Sequence, residues 1–322
     1  MHPTPSTRPI LVIGATGAIG SQVVRALLAR GAPIRVFVRS PGKVAALPAH
    51  VERAVGTLED PEAIDRALQG VQAAFYVSPH DELEEVFAEH VVSACERAGV
   101  RLVFSGVHSG GKTRLARFAQ RTIFGLLMPH YRGKLRLAER IRTSRTRPVI
   151  LMPGNYYQMD EVCRAELLAG RYPFPMGLVP RVDTRDVGEA AARALLDPSV
   201  PGGDYALVGP ESLSGAMTAA HWAAALGRPV THVPDLAVTD ALFGRAYGGR
   251  KALDCQKSYR TVGKVKVKTS AAELRQTEDL LDRAPRSFAE YAREVASEWL
   301  ATERAAPPAH QAAITPPAAA AR

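Results

Sequence analysis

An apolar run, Ile10-Leu11-Val12-Ile13, ends in three glycines, Gly14, Gly17 and Gly20. A segment with Val23, Val24, Leu27 and Leu28 on one helical face follows at once. This order predicts a buried strand, a tight turn and a helix N-terminus. Gly14 lets the chain turn sharply, Gly17 lets backbone approach a pyrophosphate, and Gly20 lets the helix pack closely on the sheet. The loop Gly14-Ala15-Thr16-Gly17-Ala18-Ile19-Gly20 is therefore expected to cradle a dinucleotide, the alternative being a turn whose glycines serve packing alone. Its first gap is one residue longer than in the common Gly-x-Gly-x-x-Gly form.

Strand and helix signals alternate after that loop. Strands are expected at 33–38, 51–55, 71–77, 100–104 and 148–152, and helices at 82–97 and 131–143. A further helix starts at Asp60-Pro61, with Asp60 as N-cap, and closes at Gly70. Such alternation predicts an α/β fold with a doubly wound parallel Rossmann sheet, helices covering both faces. The second half loses the rhythm. It has helices at 186–196 and after Ser214, a short strand at 205–208, and capping-box patterns at Ser270/Glu273 and Ser287/Glu290. We expect a dinucleotide-binding domain over 8–153, completed by about 181–208. A smaller α/β C-terminal substrate subdomain takes 154–180 and 209–300, and the Ala/Pro-rich 301–322 reads as a disordered tail.

Composition narrows the class. The hydrophobic content of 46% and charged content of 23% in 322 residues suit a soluble globular chain. No apolar run reaches the ~20 residues of a membrane span. The polar N-terminus carries no secretory pattern, so the cytoplasm is the expected location. Cys95, Cys163 and Cys255 are too scattered for a disulfide framework or a zinc site, and no metal is expected. The net charge of +9 attracts anions in general, but an arginine-rich, alanine-rich composition accounts for it more simply than a particular anionic ligand. The densest basic stretch, Arg245 to Lys268, ends in Val265 and Val267 alternating with Lys264, Lys266 and Lys268, which reads as a half-buried strand. No zinc finger, RNA-binding signature or aromatic interleaving accompanies it, which argues against a nucleic-acid partner.

The second strand indicates which dinucleotide. It ends Val38-Arg39-Ser40-Pro41-Gly42-Lys43, with no carboxylate to accept hydrogen bonds from an adenosine ribose. Arg39, helped by Ser40 and Lys43, would pair with a 2′-phosphate, pointing to NADP(H). The alternative is an Arg39 that only stacks on adenine.

Together these segments resemble the NmrA-like branch of the atypical short-chain dehydrogenases. The longer glycine loop, Phe37-Val38-Arg39-Ser40, Ala98-Gly99-Val100, His130-Tyr131-Arg132-Gly133-Lys134, Leu151-Met152-Pro153-Gly154-Asn155-Tyr156-Tyr157 and Val182 to Ala191 carry the similarity, which runs from about Pro9 to Leu300. The resemblance implies a Rossmann fold and NADP(H). It adds Leu58, Val77, Ser78, Ser105, Lys134, Pro153 and Asn155 to the cofactor-binding residues. The family includes isoflavone-reductase-type enzymes, NADPH-dependent quinone reductases and non-catalytic regulators that sense the NADP(H) redox state, so it constrains the chemistry less than the fold.

Short-chain dehydrogenases use Tyr-x-x-x-Lys, and this chain departs from it: Leu135 stands four residues after Tyr131, while His130 precedes Lys134 by four. On a helix His130 and Lys134 would share a face and point together at the nicotinamide end. Lys134 would hold the nicotinamide ribose or act as a general acid/base, and His130 would donate a proton. Their bland alternatives are a surface lysine and a helix-start residue. Tyr156 and Tyr157 offer a phenol donor or simple packing, with Tyr157 taken as the catalytic candidate. Ser105 closes a strand near the cleft, His90 reads as a packed histidine, and His108-Ser109-Gly110-Gly111 reads as a mobile loop. The leading expectation is an NADPH-dependent reductase of a quinone, enone or aromatic carbonyl compound, with a place in secondary metabolism. Two others stay open: a redox-sensing regulator with a protein partner, and a nucleotide-binding enzyme of cyclisation, elimination or epimerisation. Assembly stays open between a single chain and a homodimer.

Overall fold

The computed structural model describes residues 8–107, 122, 123, 125, 126 and 128–305. Its strands are β1 (Ile10–Ile13), β2 (Ile34–Val38), β3 (Glu52–Val55), β4 (Ala73–Val77), β5 (Arg101–Ser105), β6 (Val149–Pro153) and β7 (Asn155–Tyr156). There follow β8 (Arg171–Tyr172), β9 (Val179–Val182), β10 (Gly203–Leu207), β11 (Ser212–Leu213) and β12 (Thr231–His232). Seven of these form one parallel sheet in the order β10-β6-β5-β4-β1-β2-β3. The strand order reverses at β1, whose Ile13 pairs with Phe37 of β2 on one side and Tyr76 of β4 on the other. Ligands of open α/β sheets bind at that switch point, beyond the carboxyl ends of the strands.

Alternate residues of β1 serve opposite faces, as the pleat requires. Ile10 and Val12 join Val23, Val24 and Leu27 of the helix Ala18–Leu28 and Val187, Ala190 and Ala191 of the helix Thr184–Leu196. Leu11 and Ile13 meet Ile64, Val91 and Leu137 from the helices Pro61–Leu68, Glu84–Ala98 and Arg132–Arg142. Each buried Val, Leu or Ile side chain among these contributes about 1.5–3 kcal/mol, and each alanine less than about 1 kcal/mol. Gly188 permits the contact between the helices of the first face, because a Cβ there would lie 2.6 Å from the Gln22 backbone. The expected caps form: Asp60 accepts from Glu62 and Ala63 N–H groups, Ser214 from Met217, and Ser270 and Glu273 close a capping box.

A second core lies beyond the sheet. Tyr157, Phe174, Trp222, Phe243, Tyr259, Phe288, Tyr291 and Trp299 pack there with mutual ring contacts. At its centre is a buried ion pair. Arg181 reaches both oxygens of Asp160, at 2.8 and 3.2 Å, and both side chains are fully enclosed. Tyr172 and Trp222 complete the carboxylate's hydrogen bonds.

Three expectations need correction. The residues 264–268 form no strand beyond a single bridge from Leu178 to Lys266, because most of the basic stretch is spent in the helix Gly249–Val262. The range 209–300 does not lie wholly on the second core, since the helix Ala271–Leu281 buries Leu280 and Leu281 in the sheet core and its Thr277 hydroxyl bonds Val208 and Ala206. The last helix, Phe288–Ala305, runs into the segment expected to be a tail. His108 to Gly111 lie outside the described residues. Among the described residues, no helix is long and apolar enough to cross a membrane.

Candidate active site

The carboxyl ends of β1 to β6 open into a cleft of about 1810 Å³. At one end is the glycine loop. Gly14 has φ of +91°, and a Cβ there would strike Val77 Cγ1 at 2.7 Å. A Cβ on Gly20 would lie 2.0 Å from the Gly14 carbonyl oxygen, so the turn and the first helical turn touch backbone to backbone. Gly17 is the N-cap of the helix Ala18–Leu28, and no side chain caps that helix. Gly14, Thr16, Gly17, Ala18 and Ile19 line the cleft, leaving first-turn N–H groups for an anion. Ala15 and Gly20 are buried behind the loop and shape it without lining it.

Arg39, Ser40 and Lys43 follow along the same wall, just past the end of β2. Arg39 has no ion-pair partner among the described residues, so its fork remains available for a phosphate. Leu58 sits across from them, in the loop held by His90 Nδ1 on the Leu58 carbonyl at 2.8 Å. Asp60 is occupied as a helix cap. These residues fit an NADP-type dinucleotide: a glycine cradle that a Cβ would fill, a helix N-terminus and an unpaired guanidinium.

Further along the cleft stand Val77, Ser78, Ser105, Lys134, Pro153 and Asn155. Lys134 is nearly buried, and its Nζ donates to Glu84 Oε2 at 2.8 Å, Ser78 Oγ at 3.2 Å and the Pro79 carbonyl at 3.5 Å. Gly133 leaves the room Glu84 needs, because a Cβ there would lie 2.6 Å from Glu84 Oε1. Ion pairs Arg136–Glu85 and Arg140–Glu89 join the two helices that carry this pair. Burial raises the Glu84 carboxyl and Lys134 opposes that rise. The lysine is thus a fixed, charge-compensated donor at the cleft wall.

Two expected donors lie elsewhere. His130 is outside the cleft lining, with Nε2 3.0 Å from Ser258 Oγ on the helix Gly249–Val262. The physical reason is local: residues 129–131 form a 3₁₀ turn and the α-helix starts only at Arg132, so the i, i+4 rule does not span His130 and Lys134. Tyr157 is fully buried in the second core, its hydroxyl on the Arg286 carbonyl at 3.2 Å and its ring against Phe288 and Tyr291. Adjacent residues leaving β7 face opposite ways. Tyr156 therefore meets the cleft and Tyr157 does not.

The structure brings other side chains in. Tyr131 lines the cleft, with Ser258 Oγ 3.3 Å from its hydroxyl and His130 on the far side of that serine. Burial pushes the Tyr131 phenol up to about 12. Met128, Met159, Tyr247, Lys251, Cys255 and Tyr259 form the rest of the wall. His80 bonds Asp254 Oδ2 at 2.8 Å between the two halves. In the sequence Tyr131 stands beside His130, and Tyr247, Lys251, Cys255 and Tyr259 fall in the basic stretch Arg245 to Lys268, which carries no signal for a cleft wall; Met128, Met159 and His80 come from segments with no motif.

A model of the NmrA-like family matches residues 6–292. An NAD(P)H azoreductase of Xenophilus azovorans is 30% identical over 70% of this chain and 76% of its own length. A (4-alkanoyl-5-oxo-2,5-dihydrofuran-3-yl)methyl phosphate reductase of Streptomyces griseus is 33% identical over 69% of this chain and 75% of its own. Among solved structures, the triphenylmethane reductase of Citrobacter sp. complexed with NADP(H) superposes with a TM-score of 0.73 at 22% identity, covering 89% of this chain and 99% of that one. An NADPH-dependent quinone oxidoreductase of Escherichia coli, complexed with NADPH, gives 0.72 at 20% identity, with 89% and 99% covered.

Proposed function

The chain belongs to the NmrA-like family, and from that premise we propose that it reduces a flat conjugated acceptor, such as a quinone, an azo compound or an enone, with NADPH. As an NADP(H)-dependent oxidoreductase it takes its hydride from the nicotinamide. The observation that carries the choice of acceptor is one continuous cleft, with the glycine loop and Arg39 at one end and Tyr131, Tyr156, Met159 and Tyr247 at the other. Flat aromatic and thioether walls suit a planar conjugated molecule and would hold it against a nicotinamide. The reductases among the relatives point the same way.

The protein's own part in the reaction is binding, orientation and one proton. Backbone N–H groups of the first helical turn, from Ala18 onward, and Arg39 would hold the phosphates, the Gly17 N–H being spent on the Gly14 carbonyl. Lys134, fixed by Glu84 and Ser78, holds a ribose hydroxyl. The Tyr131 phenol, kept protonated by burial, donates to the acceptor atom that gains negative charge. Ser258 and His130 stand behind it, so His130 acts from behind the tyrosine and not within the cleft.

The test is turnover of NADPH, followed by loss of the reduced-nicotinamide absorbance, against a panel of quinones, azo dyes and enones. Saturable turnover is expected with at least one of them. Tyr131→Phe is expected to lower kcat by about 10²-fold while leaving NADPH affinity unchanged. Tight NADP(H) binding with no turnover across the panel would favour the regulator. Conversion of a ligand without net NADPH consumption would favour the non-redox enzyme.

A further inference from the structure

We propose that Lys251 forms an oxyanion subsite in the acceptor end of the cleft, selecting conjugated acceptors that carry a carboxylate, sulfonate or phosphate substituent. The proposal deepens the reductase reading and rests on it only for the conjugated part of the ligand.

Lys251 lies in the first turn of the helix Gly249–Val262 and lines the cleft beside Tyr247, Cys255 and Tyr259. Its Nζ sits 3.6 Å from the centroid of the Tyr247 ring. A half-buried ammonium normally recovers its lost hydration from a carboxylate. Here no carboxylate among the described residues pairs with it, because those nearby are engaged. Asp254 holds His80 at 2.8 Å and Arg250 at 3.5 Å. Glu82 lies 3.8 Å from Arg250, and Glu84 is bound to Lys134. The Cys255 thiol is pushed up to about 11 by burial and stays neutral, so it does not compensate the charge either. Burial accordingly lowers the Lys251 ammonium.

The Tyr247 ring offers a cation–π contact, which covers one side of the ammonium only. An oxyanion entering from the cleft would supply the missing counter-charge in a partly desolvated place, where a pair is stronger than at an exposed surface. Among the cleft's other cations, Arg39 and Lys43 stand past β2 at the glycine-loop end, Lys134 is already neutralised and Arg142 is paired with Asp204 and Glu139; Lys268 and Arg275 also line it, but among the described residues neither makes the aromatic ring contact that Lys251 makes. Lys251 therefore distinguishes acceptors by charge at a point separate from the groups that hold the cofactor phosphates.

The experiment uses the full chain saturated with NADP+, so that no turnover occurs, and measures binding of 1,4-naphthoquinone-2-sulfonate and 1,4-naphthoquinone by calorimetry. Wild type is expected to bind the sulfonate at least tenfold more tightly than the parent quinone. Lys251→Met keeps the length of the stem and is expected to abolish that preference while leaving the parent unchanged; Lys251→Arg is expected to restore it. Equal binding of the two quinones by wild type, no binding of either, or an equal loss for both in Lys251→Met would overturn the subsite. A Lys251-dependent preference without any NADPH turnover would leave the subsite standing and remove the reductase reading.

Discussion

Gly17→Ala and Gly20→Ala look equivalent in sequence, yet the structure separates them. At Gly17 an added Cβ would meet the Gly14 carbonyl oxygen at 3.4 Å, an ordinary contact, and the backbone angles of φ −84° and ψ 170° suit alanine. The fold loses only the difference between glycine and alanine at an N-cap, about 0.5–1 kcal/mol, or a melting shift of roughly 1–2 °C. At Gly20 the Cβ would sit 2.0 Å from the same oxygen, 1.4 Å short of a 3.4 Å contact. The obstacle is backbone, so the turn itself must move. Overpacking of that kind costs about 1–3 kcal/mol or more, and a displacement of about 1 Å in a binding loop costs on the order of 10²-fold. Thermal melting and NADPH titration of both variants are the assay, with Gly42→Ala as the control, since nothing lies within 4 Å of its added Cβ. Gly17→Ala is expected to melt near wild type but to bind NADPH at least tenfold more weakly, because its methyl occupies the space a pyrophosphate needs. Gly20→Ala is expected to lose both. If Gly17→Ala binds NADPH like wild type, the loop does not hold the diphosphate as argued.

Arg39→Ala is expected to weaken NADPH by about tenfold or more and NADH hardly at all; equal losses would show that the guanidinium stacks on adenine without reading the phosphate. Arg181→Met removes one partner of a fully buried pair and strands Asp160 among Tyr172 and Trp222, so a loss of about 3–5 kcal/mol is expected by denaturant unfolding. A change below about 1 kcal/mol would mean that the pair does not anchor the second core. His80 has its folded-state value lowered below 6.5, by burial first and Lys134 second. The unfolded chain then binds more protons there, so stability is full above about pH 6.5 and falls as the pH drops through the window beneath it. His80→Gln should flatten the melting temperature against pH between about 6.5 and 5, and an unchanged slope would assign the acid sensitivity to other groups.

Much of the sheet was legible because its signals are local. Mostly apolar runs four to five residues long are buried almost throughout and need no distant information to be read as parallel strands. Caps such as Asp60, Ser214 and Ser270 act within a single turn. The same locality made the glycine loop and Arg39 legible. The acceptor end was legible only in Tyr156, because the other walls, Tyr131, Met159 and the pair Tyr247 and Lys251, carry no signal for that role and come from separate stretches of chain that meet only after the second core forms. The helix Leu236–Ala246, which carries Val238, Leu242 and Phe243, escaped a reading by local signals for a similar reason: its apolar face answers to residues of that core.

The sequence alone therefore determined the parallel sheet, the glycine loop at its switch point and the cation past the end of β2, since each depends on residues within one strand–turn–helix unit. Tertiary structure decided which aromatic hydroxyl faces the cleft. A 3₁₀ turn at 129–131 sends His130 to Ser258 and leaves Tyr131 on the wall, and the alternation at the end of β7 sends Tyr157 into the core and Tyr156 to the wall. Such choices turn on rotations of a single residue. They are settled by what the rest of the chain packs against them.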